Sequence, residues 1–151
     1  MLHMADLELV NRLAAADHHL AVFGVARPDG SVHASVVNAG VMDDPVDGSP
    51  GGAAVVGGGA RKLALVRTAG RATLVFKDGW EWAAVSGPVR LVGPDDGSDL
   101  GLDVPETIRS VFRAAGGSHG DWAEFDRVMA EERRCAVFVR ADSVSTNAGS
   151  G

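Results

Sequence analysis

The chain has no tyrosine, one cysteine and few aromatic residues (5%), and lysine is rare beside arginine. The lone thiol, Cys135, excludes an internal disulfide and points to a reducing compartment, the cytoplasm. It opens an apolar run and reads as a small buried hydrophobe, since nothing near it in sequence marks a catalytic thiol. No stretch approaches the length of apolar residues that a membrane span needs. The opening MLHMADLELV has neither a basic start nor a cleavable apolar core, so no signal peptide is expected. Basic residues are also in deficit, 14 against 20 acidic for a net charge of −6, which argues against nucleic acid as a partner. The five histidines show neither the i, i+4 spacing nor the carboxylate company of a zinc site, so no metal is expected. No G-x-G-x-x-G turn or phosphate-binding GK[ST] occurs.

What is present is 151 residues with 46% hydrophobic content, enough for one well-filled domain over residues 1–151. Residues 5–16 have the spacing of an amphipathic helix, with Leu9, Val10 and Leu13 on one side. Runs 19–26 and 31–41 alternate like strands around Arg27-Pro28-Asp29-Gly30, a hairpin turn. A short strand is expected at 53–56 and a short helix at 60–68, ending before Gly70. A second hairpin, 71–77 with 80–92, turns at Asp78-Gly79. Asp103 with Glu106, and Asp121 with Glu124, give capping-box spacings before two more helices. Residues 135–144 return to strand, and the glycine-rich tail 147–151 reads as frayed. Six strands in adjacent antiparallel pairs, with helices between them, make an α+β barrel the expected class.

The chemistry concentrates around residue 60. Gly57, Gly58 and Gly59 lead into a helix carrying Arg61 and Lys62 in its first turn. Free N–H groups at a helix start, with glycine allowing close approach, suit a phosphate. The alternative is a basic pair on a solvated helix face. Beyond this, the stretch RKLALVRTAGRATLVFKDGWEW resembles the split-barrel flavin/deazaflavin oxidoreductases of the pyridoxamine 5'-phosphate oxidase-like superfamily. It is most similar to the actinobacterial branch that uses the deazaflavin coenzyme F420. The block FRAAGGSHGDWAEFDRVMAEERR (112–134) extends the resemblance over roughly residues 18 to 147.

That resemblance implies a six-stranded antiparallel split β-barrel with peripheral helices, acting as a homodimer whose coenzyme cleft is built by both subunits. It places the phosphate-binding lysine on Lys62, with Arg61 beside it, and coenzyme contacts on Val55, Val56 and the glycines that follow. The strand holding His33 and Ser35 would line the ring of the coenzyme. By alternation these two share a face with Val37, and Asn38 faces the other way. The implied function is F420-dependent hydride transfer to a small organic substrate. The alternatives are an FMN-binding oxidase or reductase of the same fold, or a non-catalytic coenzyme or small-molecule carrier. No catalytic acid or base is assigned; solvent or His33 would serve as proton source. The chain departs from the family pattern at Ala60, Leu65 and Gly70. Trp80 and Trp82, at alternate positions, are expected to share a face in the core or at the dimer interface, and Arg133 or Arg134 to reach a partner's site.

Overall fold

A computed structural model describes residues 4–148. In chain order it contains α1 (Met4–Ala16), β1 (Leu20–Ala26), β2 (Val32–Val41), β3 (Gly51–Val56) and α2 (Arg61–Ala69). These are followed by β4 (Arg71–Asp78), β5 (Glu81–Val92), α3 (Val104–Ala114), α4 (Trp122–Glu131), β6 (Cys135–Arg140) and β7 (Ser143–Thr146). The pairing β4-β1-β2-β3-β6-β5, closed by β4 with β5, makes a six-stranded antiparallel barrel, as expected.

The barrel interior is apolar because alternate positions of each strand point inward. Phe23, Leu74, Phe76, Val85 and Val137 meet there. Val10 and Leu13 of α1 and Leu63 and Val66 of α2 join the same core, and all four are fully buried. A second apolar cluster forms where α3 and α4 cover the other side of β3 and β6, from Ile108, Val111 and Phe125 onto Ala53, Ala136 and Phe138. Both helices start at the expected caps. The Asp103 carboxylate accepts from the Glu106 N–H at 3.0 Å, and that of Asp121 from the Glu124 N–H at 3.1 Å. Arg109 on α3 is joined to Asp126 on α4, tying the two helices together.

Three features differ from the sequence reading. The last strand is broken: after Arg140 the chain bends at Ala141-Asp142, where Ala141 donates to the Pro50 carbonyl at 2.9 Å, and β7 then pairs with β5 instead of β3. The second hairpin turns one residue later than expected. Asp78 pairs with Glu81, so Gly79 and Trp80 form the turn. Trp80 therefore lies on no strand face and is 91% exposed, while Trp82 stands on the outer face of β5 at 37%. Within the tail, the Asn147 side chain accepts from the Trp82 N–H at 2.9 Å and donates to the Trp80 carbonyl at 2.8 Å. Residues 149–151 lie outside the described residues.

Ser86-Gly87-Pro88 is the corner where β5 changes partners, from β7 at Ala83–Ser86 to β6 at Val89–Val92. Gly87 is required there by another strand: a Cβ on it would sit 2.0 Å from the Arg140 carbonyl oxygen.

Candidate functional site

The barrel is incomplete at one seam. β2 pairs with β1 along Val32 to Asn38, and with β3 only at Ala39, Gly40 and Val41. Beyond those three pairs the strands diverge, and among the described residues no strand covers the second edge of Val32–Asn38. An uncovered edge offers a row of peptide N–H and C=O groups to a ligand. The fork between β2 and the end of β3 opens into a cavity of about 560 Å³. Val36 to Asn38 wall one side and Val55 to Gly57 the other; α2 contributes Lys62, and the α3–α4 end contributes Phe112, Met129 and Arg134.

The charge pattern of this cavity is one-sided. Lys62, Arg134 and His18 line it, and none of its lining residues is Asp or Glu, in a chain of net charge −6. Lys62 is half-buried and has no ion-pair partner among the described residues. Arg134 uses only its Nε, donating to Glu132 at 2.9 Å. The helix that presents Lys62 starts at Ala60, which has no side chain able to cap it. Its first free N–H groups thus add positive potential near Lys62.

The three glycines divide into two kinds. None has a left-handed backbone. A Cβ on Gly57 or Gly59 would meet nothing within 4 Å, whereas one on Gly58 would fall 2.5 Å from the Arg133 carbonyl oxygen. Gly58 also donates its N–H to the Glu132 carbonyl at 3.1 Å. Gly58 is therefore glycine because the loop presses against the turn after α4. The fold makes no such demand on Gly57, which borders the cavity, so its missing side chain keeps that space open.

The sequence-derived candidates do not all converge. Val55, Val56, Gly57 and Lys62 line the cavity together. Arg61 is exposed beside it on α2, and Gly58 and Gly59 sit in the loop without lining it. His33 and Ser35 face the barrel side of β2, opposite Val25 and Phe23 of β1, and are not among the lining residues. His33 Nδ1 and Ser35 Oγ are both buried with no hydrogen-bond partner, a pair of polar atoms that the interior does not satisfy. Asn38 does face away from them, and its side chain donates to the His18 carbonyl at 3.1 Å, at the cavity. Of the two terminal arginines, Arg133 is held by Asp95, while Arg134 reaches the cavity of its own chain. His18, Asn38, Phe112 and Met129 were not singled out by sequence as site residues. The block at 112–134 was the only pointer to the last two. The departures at Leu65 and Gly70 have local causes: Leu65 packs on the barrel core, and Gly70 ends α2 in the left-handed conformation (φ 71°).

Cys135 is buried under this end of the barrel, and burial pushes its thiol up to about 12. An unfolded thiol ionises near about 8.5, so the folded chain loses stability as pH rises from there towards the folded value. Iodoacetamide at mildly alkaline pH is accordingly expected to leave the native thiol unmodified and to label it fully in urea. Mass spectrometry of the two samples checks this, and rapid native labelling would contradict it. Among the described residues no group of three His, Cys, Asp or Glu is arranged to hold a metal, and no helix is long and apolar enough to cross a membrane.

The same architecture recurs in solved structures across nearly the whole chain. A conserved hypothetical protein of Mycobacterium tuberculosis superposes with a TM-score of 0.66 at 15% identity, over 97% of this chain and 84% of that one. A heme binding protein from Mycobacterium smegmatis gives 0.63 at 15%, covering all (100%) of this chain and 57% of its own. A pyridoxamine 5'-phosphate oxidase-related, FMN binding protein from Nostoc punctiforme gives 0.57 at 12%, over 95% and 81%. The fold is a split β-barrel. No protein-family model matches this split-barrel chain, and no curated protein matches it.

Proposed function

We propose that this split-barrel protein is an oxidoreductase that binds coenzyme F420, with FMN as the alternative occupant, and acts on a small organic substrate as a homodimer. The observation that carries the proposal is the half-buried, unpaired Lys62 in a cavity that has arginine and histidine but no carboxylate. A half-buried cation with no native partner is available to an anionic ligand. The residues fit a phosphate-bearing coenzyme. Lys62 and the terminal nitrogens of Arg134 would hold its anionic tail, with Arg61 exposed alongside. Three cations suit the extended, multiply charged tail of F420 better than a single phosphate. Gly57 leaves room for the tail, and the open edge of β2 offers peptide groups to a flat ring.

A bound deazaflavin supplies a carbon hydride donor, so the protein's part is to bind, orient and exclude water. The apolar walls from Val36, Val55, Val56, Phe112 and Met129 serve the last of these. His33 faces the barrel interior and does not line the cavity, so solvent is the proton source this reading favours, should one be needed.

The dimer part rests on the outer face of β2-β1-β4-β5. Its exposed residues include Val32 (63%), Val36 (64%), Leu20 (38%) and Trp82 (37%). An apolar sheet face of this kind is suited to a second copy. Val36 also lines the cavity, so such an interface would run to its edge.

Fluorescence titration with F420, FMN and hemin side by side tests the reading. Saturable binding tightest for F420 is expected, and saturation by hemin alone, or by none of the three, would defeat it. Tightest binding of FMN selects the alternative coenzyme. A chain that binds F420 without oxidising its reduced form in any substrate screen is a carrier. Light scattering should give twice the 15.6 kDa chain mass; a single-chain mass at micromolar concentration would refute the dimer.

A further inference from the structure

A second cavity, of about 240 Å³, lies between α3, α4 and the turn at Pro94. Val104, Pro105 and Ile108 form one wall and Met129 and Ala130 the other. Two charged residues border it. Asp126 is already engaged, its carboxylate accepting from Arg109 Nε at 2.9 Å. Arg134 is not: beyond its Nε bond to Glu132, its two terminal nitrogens donate to no described residue. Arg134 and Met129 line this cavity and the larger one alike, so they form the partition between them.

We infer that this second cavity is a binding site for small apolar monocarboxylates, with the hydrocarbon body between α3 and α4 and the carboxylate on Arg134. Its volume exceeds the roughly 150 Å³ that accepts a benzene-sized guest, and an apolar lining favours transfer of each methylene from water. The free fork of a guanidinium matches a carboxylate in a bidentate pair. A second charge on the ligand would be stranded among Val104, Pro105 and Ile108, which selects against dicarboxylates. The two cavities share Arg134, so a coenzyme tail in the larger one and a carboxylate in this one compete for its terminal nitrogens, and the titrations below are made without coenzyme.

Ile108 is the only isoleucine in the chain, so a ¹³C-labelled isoleucine methyl gives one resonance, placed in this pocket. Titration with octanoate should shift it saturably, and 1-octanol should shift it more weakly. Arg134→Gln should cost octanoate roughly tenfold or more in affinity while leaving 1-octanol unchanged. Arg134→Lys, which keeps the charge without the fork, should recover part of the loss. Ala130→Phe, at an exposed helical position bordering the pocket, should abolish both shifts without unfolding the chain. The inference is overturned if octanoate gives no saturable shift, if Arg134→Gln binds it as the parent does, or if Ala130→Phe leaves both titrations intact.

Discussion

Lys62→Ala is expected to weaken coenzyme binding by roughly ten- to a hundredfold, the loss of one charge-assisted contact of about 1.5–3 kcal/mol. Its position carries the argument: it lines the cavity, no carboxylate shares that lining, and no described residue pairs with it. The same substitution should leave thermal stability nearly unchanged, because no native ion pair is lost and alanine is a good helix former. Lys62→Arg should keep most of the affinity. Parallel titrations of the parent and both variants, with a melting curve for each, separate the two roles that sequence leaves open. A solvated helix face predicts three identical titrations, and that result would remove the anion site.

Gly58→Ala should destabilise the fold by about 1–3 kcal/mol, the usual cost of forcing extra volume into a packed contact. The added Cβ would lie 2.5 Å from the Arg133 carbonyl oxygen and 2.7 Å from the Arg133 Cβ. Arg133 cannot yield easily, being held by Asp95 and already in a left-handed conformation at φ 49°. The loop must shift instead, carrying Gly57 and the start of α2 with it, so coenzyme affinity should fall in the same variant. Gly59→Ala is the control, with open space around its Cβ and an ordinary backbone. It should be neutral or stabilising by up to about 1 kcal/mol through the unfolded state. Urea unfolding compares the two directly, and equal midpoints would show that the contact with Arg133 does not constrain the loop.

Local signals were legible in the sequence. The caps at Asp103 and Asp121, the turn before Ser31 and the alternation that sets His33 and Ser35 against Asn38 each depend on a few neighbouring residues, and each appears in the structure. Long-range features were not legible. That β2 stops pairing with β3 after three residues is a property of two strands with another turn between them, and no residue near Asn38 announces it. The division of labour among Gly57, Gly58 and Gly59 is equally hidden, because it is imposed by Glu132 and Arg133, far along the chain. The break at Ala141-Asp142 follows from the carbonyl of Pro50, and the shifted turn at Trp80 is pinned from the far side by Asn147. The site was thus half visible: the run from Val55 to Lys62 stood out by composition, while the opposite wall needed the barrel.

The strand that completes the barrel is the last of its six to be synthesised. β6 (Cys135–Arg140) fills the space between β3 and β5, pairing Gly51 with Arg140 and Val89 with Val139. Until it emerges from the ribosome, both flanking strands have an unpaired edge, and the apolar interior stands open between them. Nascent chains stalled or cut before Cys135 would therefore be the species most exposed to edge-to-edge association. Damage to β6 would then show first as lost soluble yield, before any effect on the cavity at Lys62 could be measured.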